Sequence, residues 1–217
     1  MPSRSARTAW DPTRSAAIRM GLVILVTVWS AVSACAQTGS PQKNGEKKTA
    51  LVVIDVQEFY FPGGAIPLDH PEAASRNCAK LLGKFRKDNQ LIVHVGHNAS
   101  KGASFHPDVA PTEGEKVVMK DEVNAFNGTD LLQYLRENKV ERLVICGMQT
   151  HMCVEGAVRA AYDLGFECIL VRDACATRAL TFGGKTIAAD DLHLSTLATL
   201  DRNYATVVDA ETLVKDD

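Results

Sequence analysis

Three residue types that can do covalent chemistry together stand at equivalent places in this chain. Cys153 lies in LVICGMQTHMCVEGAVRAA, where the apolar run from Leu143 to Cys146 reads as a buried strand and Gly147 breaks it. From Cys153 onward Val154, Ala157, Val158 and Ala161 recur at helical spacing. The thiol therefore sits at a strand-to-helix turn, in the first turn of a helix. Unpaired N–H groups and the helix dipole there favour an anion, so the thiolate is expected to form below the free-thiol pKa. Asp55 comes where the strand Ala50–Ile54 must end, and Lys120 closes the short strand Lys116–Met119. A free cysteine is commonly a small buried hydrophobe, and a strand-end Asp is commonly a turn residue. A nucleophile, a base and a cation at three strand ends would nevertheless meet on one edge of an open α/β sheet, where ligands bind.

The elements that must position these residues alternate β and α along the chain. Strands are predicted near 50–55, 90–95, 116–119, 142–147, 166–171 and 205–208, and helices near 69–88, 129–138, 153–164 and 186–203. Such alternation argues for a parallel sheet covered on both faces. The loop 97–115 is long for a compact α/β domain and is read as one wall of a substrate pocket.

Four segments taken in order, DVQEFYFPGGAIP (Asp55–Pro67), Lys120 with NAFNGT (Asn124–Thr129), CGMQTHMCV (Cys146–Val154) and VRDACAT (Val171–Thr177), resemble the isochorismatase-like cysteine hydrolases. That superfamily includes nicotinamidases, N-carbamoylsarcosine amidohydrolase and isochorismatases. The resemblance covers about Ala50 to Val208. It implies a Rossmann-like three-layer α/β/α fold with a mostly parallel six-stranded sheet, in which the first and fourth strands are central neighbours. It also implies a catalytic triad of Asp55, Lys120 and Cys153, and an oxyanion hole from the backbone N–H groups of Gln149 and Cys153. A non-proline cis peptide is typical of that loop and would fall at Met148–Gln149. Tyr60, Phe126 and His97 are the candidate substrate-binding residues. The expected reaction is hydrolysis of a C–N amide bond in a small molecule through a thioester. Cleavage of a vinyl ether without the cysteine, and a non-catalytic binding module, are the competing readings.

No cofactor is expected. Nicotinamidases carry a D-x-H motif after the second strand, whereas HVGHNASKGASFHPD here holds His94, His97 and His106 without one. His94 alternates inward as a core histidine. His97 and His106 would line the pocket or bind a metal, and the missing carboxylate weighs against metal. It also weighs against nicotinamide as substrate, although PGGAIP resembles the nicotinamidase loop.

The chain has 217 residues and a net charge of −2, with no basic tract to suggest nucleic acid. Arg4, Arg7, Arg14 and Arg19 precede an apolar stretch, Met20–Val32, too short to span a bilayer. Residues 1–34 therefore read as a secretory signal. Val32-Ser-Ala-Cys35 looks like a bacterial lipobox, which would lipidate Cys35; cleavage after Ala36 is the other processing that fits. Residues 1–34 carry a net +3, so their removal leaves −5. Residues 35–48 form a polar tether, and 49–217 the hydrolase domain. The reading is thus an exported, periplasmic or cell-envelope protein. It touches membrane only through a lipid anchor and assembles as a homo-oligomer around a small-molecule amide site. Of the six cysteines, Cys78, Cys146, Cys168 and Cys175 form no metal-type pair, and Cys146 and Cys168 read as core residues.

Overall fold

A computed structural model describes residues 47–215; the signal segment 1–34, Cys35 and the tether as far as residue 46 lie outside the described residues. The strand β1 (Thr49–Ile54) is followed by α1 (Pro71–Lys87), β2 (Leu91–His97), β3 (Lys116–Lys120), α2 (Leu131–Glu137) and β4 (Arg142–Met148). Then come α3 (Glu155–Asp163), β5 (Glu167–Ala176), the hairpin strands β6 (Leu180–Phe182) and β7 (Lys185–Ile187), α4 (Ala189–Leu200), β8 (Thr206–Val208) and α5 (Ala210–Val214). Six strands form one sheet in the order β3-β2-β1-β4-β5-β8, with every pairing parallel. The expected α/β/α architecture is present, and β1 and β4 are the central neighbours.

The strand periodicity of two builds the three layers. Ala50, Val52 and Ile54 of β1 enter a core shared with α2, α3 and α4 residues such as Leu135, Val158 and Leu200. Leu51 and Val53 point the other way, against Leu81 and Leu82 of α1. Both faces are thus covered, which is why these strands read as unbroken apolar runs. No helix among the described residues is long and apolar enough to cross a membrane.

Two sequence expectations are corrected. The helix expected over 186–203 starts at Ala189, because Leu180–Ile187 is a β-hairpin. Its turn is Gly183–Gly184, both at positive φ, the conformation that two-residue hairpin loops demand. The helix expected from 153 starts at Glu155. Cys153 instead belongs to a single π-helical turn, Thr150–Val154, joining β4 to α3.

The junction of β4 and β1 leaves no room for a side chain. Gly147 has φ +127°, and a Cβ there would lie 1.9 Å from the Ile54 carbonyl oxygen. The β4–β5 register also shifts between Ile145 and Gly147. Gly147 thus lets the strand that leads to Cys153 close against the strand that leads to Asp55. Gly147→Ala is expected to cost more than about 4 kcal/mol, in the range of the severe core lesions; a urea unfolding midpoint equal to that of wild type would contradict it.

Candidate active site

Each triad candidate is delivered by a chain feature at the carboxyl edge of the sheet. Asp55 follows Ile54 directly and adopts φ 51°, a left-handed bend that Asp tolerates better than most residues. Its N–H donates to the Val95 carbonyl at 2.8 Å, which ties the bend to β2. Lys120 ends β3, two strands from β1. Its four-carbon stem spans that gap and brings Nζ to 2.8 Å from Asp55 Oδ2 and 3.3 Å from Cys153 Sγ. Both Asp55 and Lys120 have fully buried side chains. The structure therefore brings the three sequence candidates together around one ammonium.

The electrostatics differ from the sequence expectation at the thiol. Burial, and next the Asp55 carboxylate, push Cys153 up to about 12, against the pull of Lys120. The expected low-pKa thiolate is thus corrected: a short turn preceding a helix does not offset removal from water. Burial raises the Asp55 pKa as well, with Lys120 opposing. Asp55 and Lys120 form an ion pair at 2.8 Å, and Cys153 beside them is a thiol. Moving the thiol proton to Asp55 leaves the net charge unchanged, so that transfer avoids burying any additional charge. A carboxylate made more basic by its surroundings is suited to accept that proton.

The turn bearing Cys153 is fixed from several sides. The Met148–Gln149 peptide is cis, as expected from sequence. The Gln149 carbonyl accepts from the N–H groups of Met152 (3.0 Å) and Val154 (3.3 Å), which shapes the turn around the Gln149 and Cys153 N–H groups. Thr150 Oγ1 lies 2.9 Å from His193 Nδ1 on α4, and His151 Nδ1 lies 2.5 Å from Thr177 Oγ1 after β5.

The residues read as substrate-binding occupy three different settings. Tyr60 is buried, and its hydroxyl accepts from Gln149 Nε2 at 3.3 Å, so it contacts the residue that opens the Cys153 turn. His97 is half-buried, with Nδ1 3.1 Å from Lys120 Nζ. Phe126 stacks on Phe166 at 6.3 Å between centroids and packs on the core cluster to which Cys153 also belongs. His94 is buried, with Nε2 2.8 Å from Glu115 Oε2. His106 stacks on Phe61 at 3.8 Å. Among the described residues no three His, Cys, Asp or Glu side chains are grouped to hold a metal.

Sequence reasoning did not single out Gln57. It is fully buried, its Oε1 accepts from His97 N at 2.7 Å, and its Nε2 donates to His97 O at 3.0 Å and Ala103 O at 2.5 Å. One amide thus clamps the end of β2 and the long loop beyond it. Glu58 and Phe59 add backbone bonds to Ser104 and Gly102. The loop walls an open groove of about 400 Å³ lined by Glu58, Phe59, the Pro62–Ala65 stretch, Lys101 and Gly102. Arg178 was also overlooked. It acts electrostatically on Tyr60 and His151, and its buried Nε has no hydrogen-bond partner among the described residues. The pair Asp55–Gln57, two residues apart just after a strand, was the available signal for the clamp; nothing in the local sequence marked Arg178.

The family model described as Isochorismatase domain matches residues 49–212. YddQ, an isochorismatase-family protein of Bacillus subtilis, is 40% identical over 178 residues, 77% of this chain and 99% of its own length. Maleamate amidohydrolase of Pseudomonas putida is 30% identical, over 75% of this chain and 83% of that protein. A crystal structure of an isochorismatase-type hydrolase from Oleispira antarctica is 42% identical with TM-score 0.76, covering 79% of this chain and 98% of that one.

Asp55→Asn removes the carboxylate charge that holds the thiol up and leaves Lys120 beside it. The pH midpoint of Cys153 alkylation by iodoacetamide is expected to fall below that of wild type, while Lys120→Met raises it. A midpoint that does not move in either variant would show that the three groups are not electrostatically coupled.

Proposed function

The chain belongs to the isochorismatase family, is an isochorismatase-family hydrolase, and on that premise we propose that it cleaves a C–N amide bond of a small molecule with Cys153 as nucleophile. The observation that carries this reading is the single buried ammonium of Lys120 in contact with both Asp55 and Cys153. The amidohydrolase named among the relatives supports the bond type.

The chemistry then follows from the positions. As Sγ attacks the amide carbon, its proton passes to Asp55, and Lys120 stabilises the transient negative charge on sulfur. The carbonyl oxygen becomes an oxyanion held by the N–H groups of Gln149 and Cys153. A donor of this kind is typically worth ~10²–10³ in rate. The C–N bond breaks as Asp55 returns the proton to the leaving amine, giving a thioester. Water enters, Asp55 takes its proton, and hydrolysis releases the acid and regenerates the thiol. Because burial pushes the Cys153 thiol up to about 12, attack is coupled to proton transfer rather than preceded by thiolate formation.

Cys153→Ala is expected to lower ammonia release from small amides by at least about 10³-fold, and Cys153→Ala combined with Asp55→Asn should be little worse than either alone. Mass spectrometry of quenched wild-type reactions should find an acyl adduct on Cys153. An alanine variant that still turns over the amide would remove the cysteine mechanism. We also propose that the chain is exported and anchored through Cys35, as the arginine-rich start and VSAC suggest. Mass spectrometry of the native N-terminus is expected to begin at a lipidated Cys35; a chain still starting at Met1 would overturn export.

A further inference from the structure

An ammonium has three N–H donors and no acceptor. Lys120 is buried to 1% exposure, and three groups surround its Nζ: Asp55 Oδ2 at 2.8 Å, His97 Nδ1 at 3.1 Å and Cys153 Sγ at 3.3 Å. The other two triad members, Asp55 and Cys153, stand against two of those donors. A third donor on a side chain this deeply buried calls for a partner, because a buried donor left without one is costly. We propose that His97 is a positioning residue of the active site: its neutral ring takes the third N–H of Lys120 at Nδ1, holds Nζ between carboxylate and thiol, and thereby carries its own proton on Nε2.

The geometry around His97 favours this assignment over a loosely placed pocket histidine. Gln57 binds both the N–H and the carbonyl of His97, at 2.7 and 3.0 Å, so the backbone cannot shift to carry the ring away. His97 is also the last residue of β2 and pairs in register with Lys120, the last of β3. Neighbouring strand ends therefore present the two side chains together. The charged group facing Nζ is Asp55 from the bend after β1, and the titratable thiol of Cys153 faces it from the π-turn. Asp121, next to Lys120, is held by Asn98 Nδ2 at 2.9 Å on the exposed side. A proton on Nδ1 would set two N–H groups against each other across 3.1 Å, so the Lys120 ammonium selects the Nε2–H tautomer.

This inference adds to the cysteine mechanism proposed above and rests on it for its catalytic consequence. The tautomer itself does not. Nitrogen-15 NMR of the full chain, with the His97 signals identified by their loss in His97→Asn, is expected to show an unprotonated Nδ1 and a protonated Nε2. An Nδ1–H ring or an imidazolium at neutral pH would overturn the proposal. Asn places Oδ1 where Nδ1 lay, so His97→Asn keeps the acceptor, whereas His97→Leu and His97→Ala remove it. With ammonia release from a small amide as the assay, the variants lacking the acceptor should lose about 10–100-fold in kcat, by analogy with the loss when the group that orients a metal ligand is removed, with KM little changed. Their Cys153 alkylation midpoint should rise. His97→Asn should stay within a few-fold of wild type in both. An Asn variant as impaired as Leu or Ala, or an alkylation midpoint unmoved in all three, would overturn the positioning role. Should the tautomer and alkylation results hold while no amide is turned over, the amidohydrolase reading fails and the placement of His97 stands.

Discussion

A lysine ammonium with no access to water sets the terms for the rest of this structure. Burying a charge of that kind is tolerated only where it is paired and its donors are satisfied. Here the carboxylate of Asp55 supplies the opposite charge at 2.8 Å, and sulfur and imidazole complete the shell. Removing one partner strands the others in a medium that cannot solvate them. Stability and chemistry are thereby joined at one point: the arrangement that makes the ion pair tolerable in the interior is also the one that places a base and a cation against the thiol.

The parallel sheet is what allows these groups to meet. In the order β3-β2-β1-β4-β5-β8, the strands carrying Lys120 and Asp55 flank the one that ends at His97, and β4 delivers Cys153 from the other side of β1. All strands run the same way, so all their carboxyl ends open on one edge. The distance between β3 and β1 selects a long side chain for the cation. The close contact of Gly147 with the Ile54 carbonyl selects glycine where β4 turns. Gln57 then closes the arrangement by clamping His97 and the following loop with a single buried amide. The contacts of Thr150 with His193 and His151 with Thr177 hold the turn bearing Cys153 against α4 and the end of β5.

The charge state of the site follows from burial rather than from helix geometry. A thiol near 12 is protonated and poorly nucleophilic at rest. The same protonation and burial make it a poor target for adventitious oxidants. In the mechanism proposed above the proton leaves for Asp55 while sulfur bonds to carbon, a sequence that adds no second uncompensated charge inside the protein.

The sequence by itself determined the alternation of strands and helices, because apolar runs bounded by Gly, Pro and Asp have a definite length and period. It also placed Asp55 and Lys120 at strand ends and Cys153 in the turn that follows a strand, so all three were legible as candidates before any coordinate. Its reading ran out where a local pattern has two structural answers. Leu180–Ile187 carries a Gly-Gly hairpin signal but sits beside a helical run, and the helical reading extended back over Thr186 and Ile187. Cys153 begins a helical spacing, yet packing of β4 against β1 and β5 winds its turn as π before α3 starts. The thiol's pKa depends on how much water the folded chain removes and on the distance to Asp55, neither of which any local segment encodes. The contacts of Gln57 with His97, of Tyr60 with Gln149 and of His97 with Lys120 join residues 40, 89 and 23 positions apart. Only the tertiary structure decides such pairs, because they exist through the register of neighbouring strands and the loops those strands bring together.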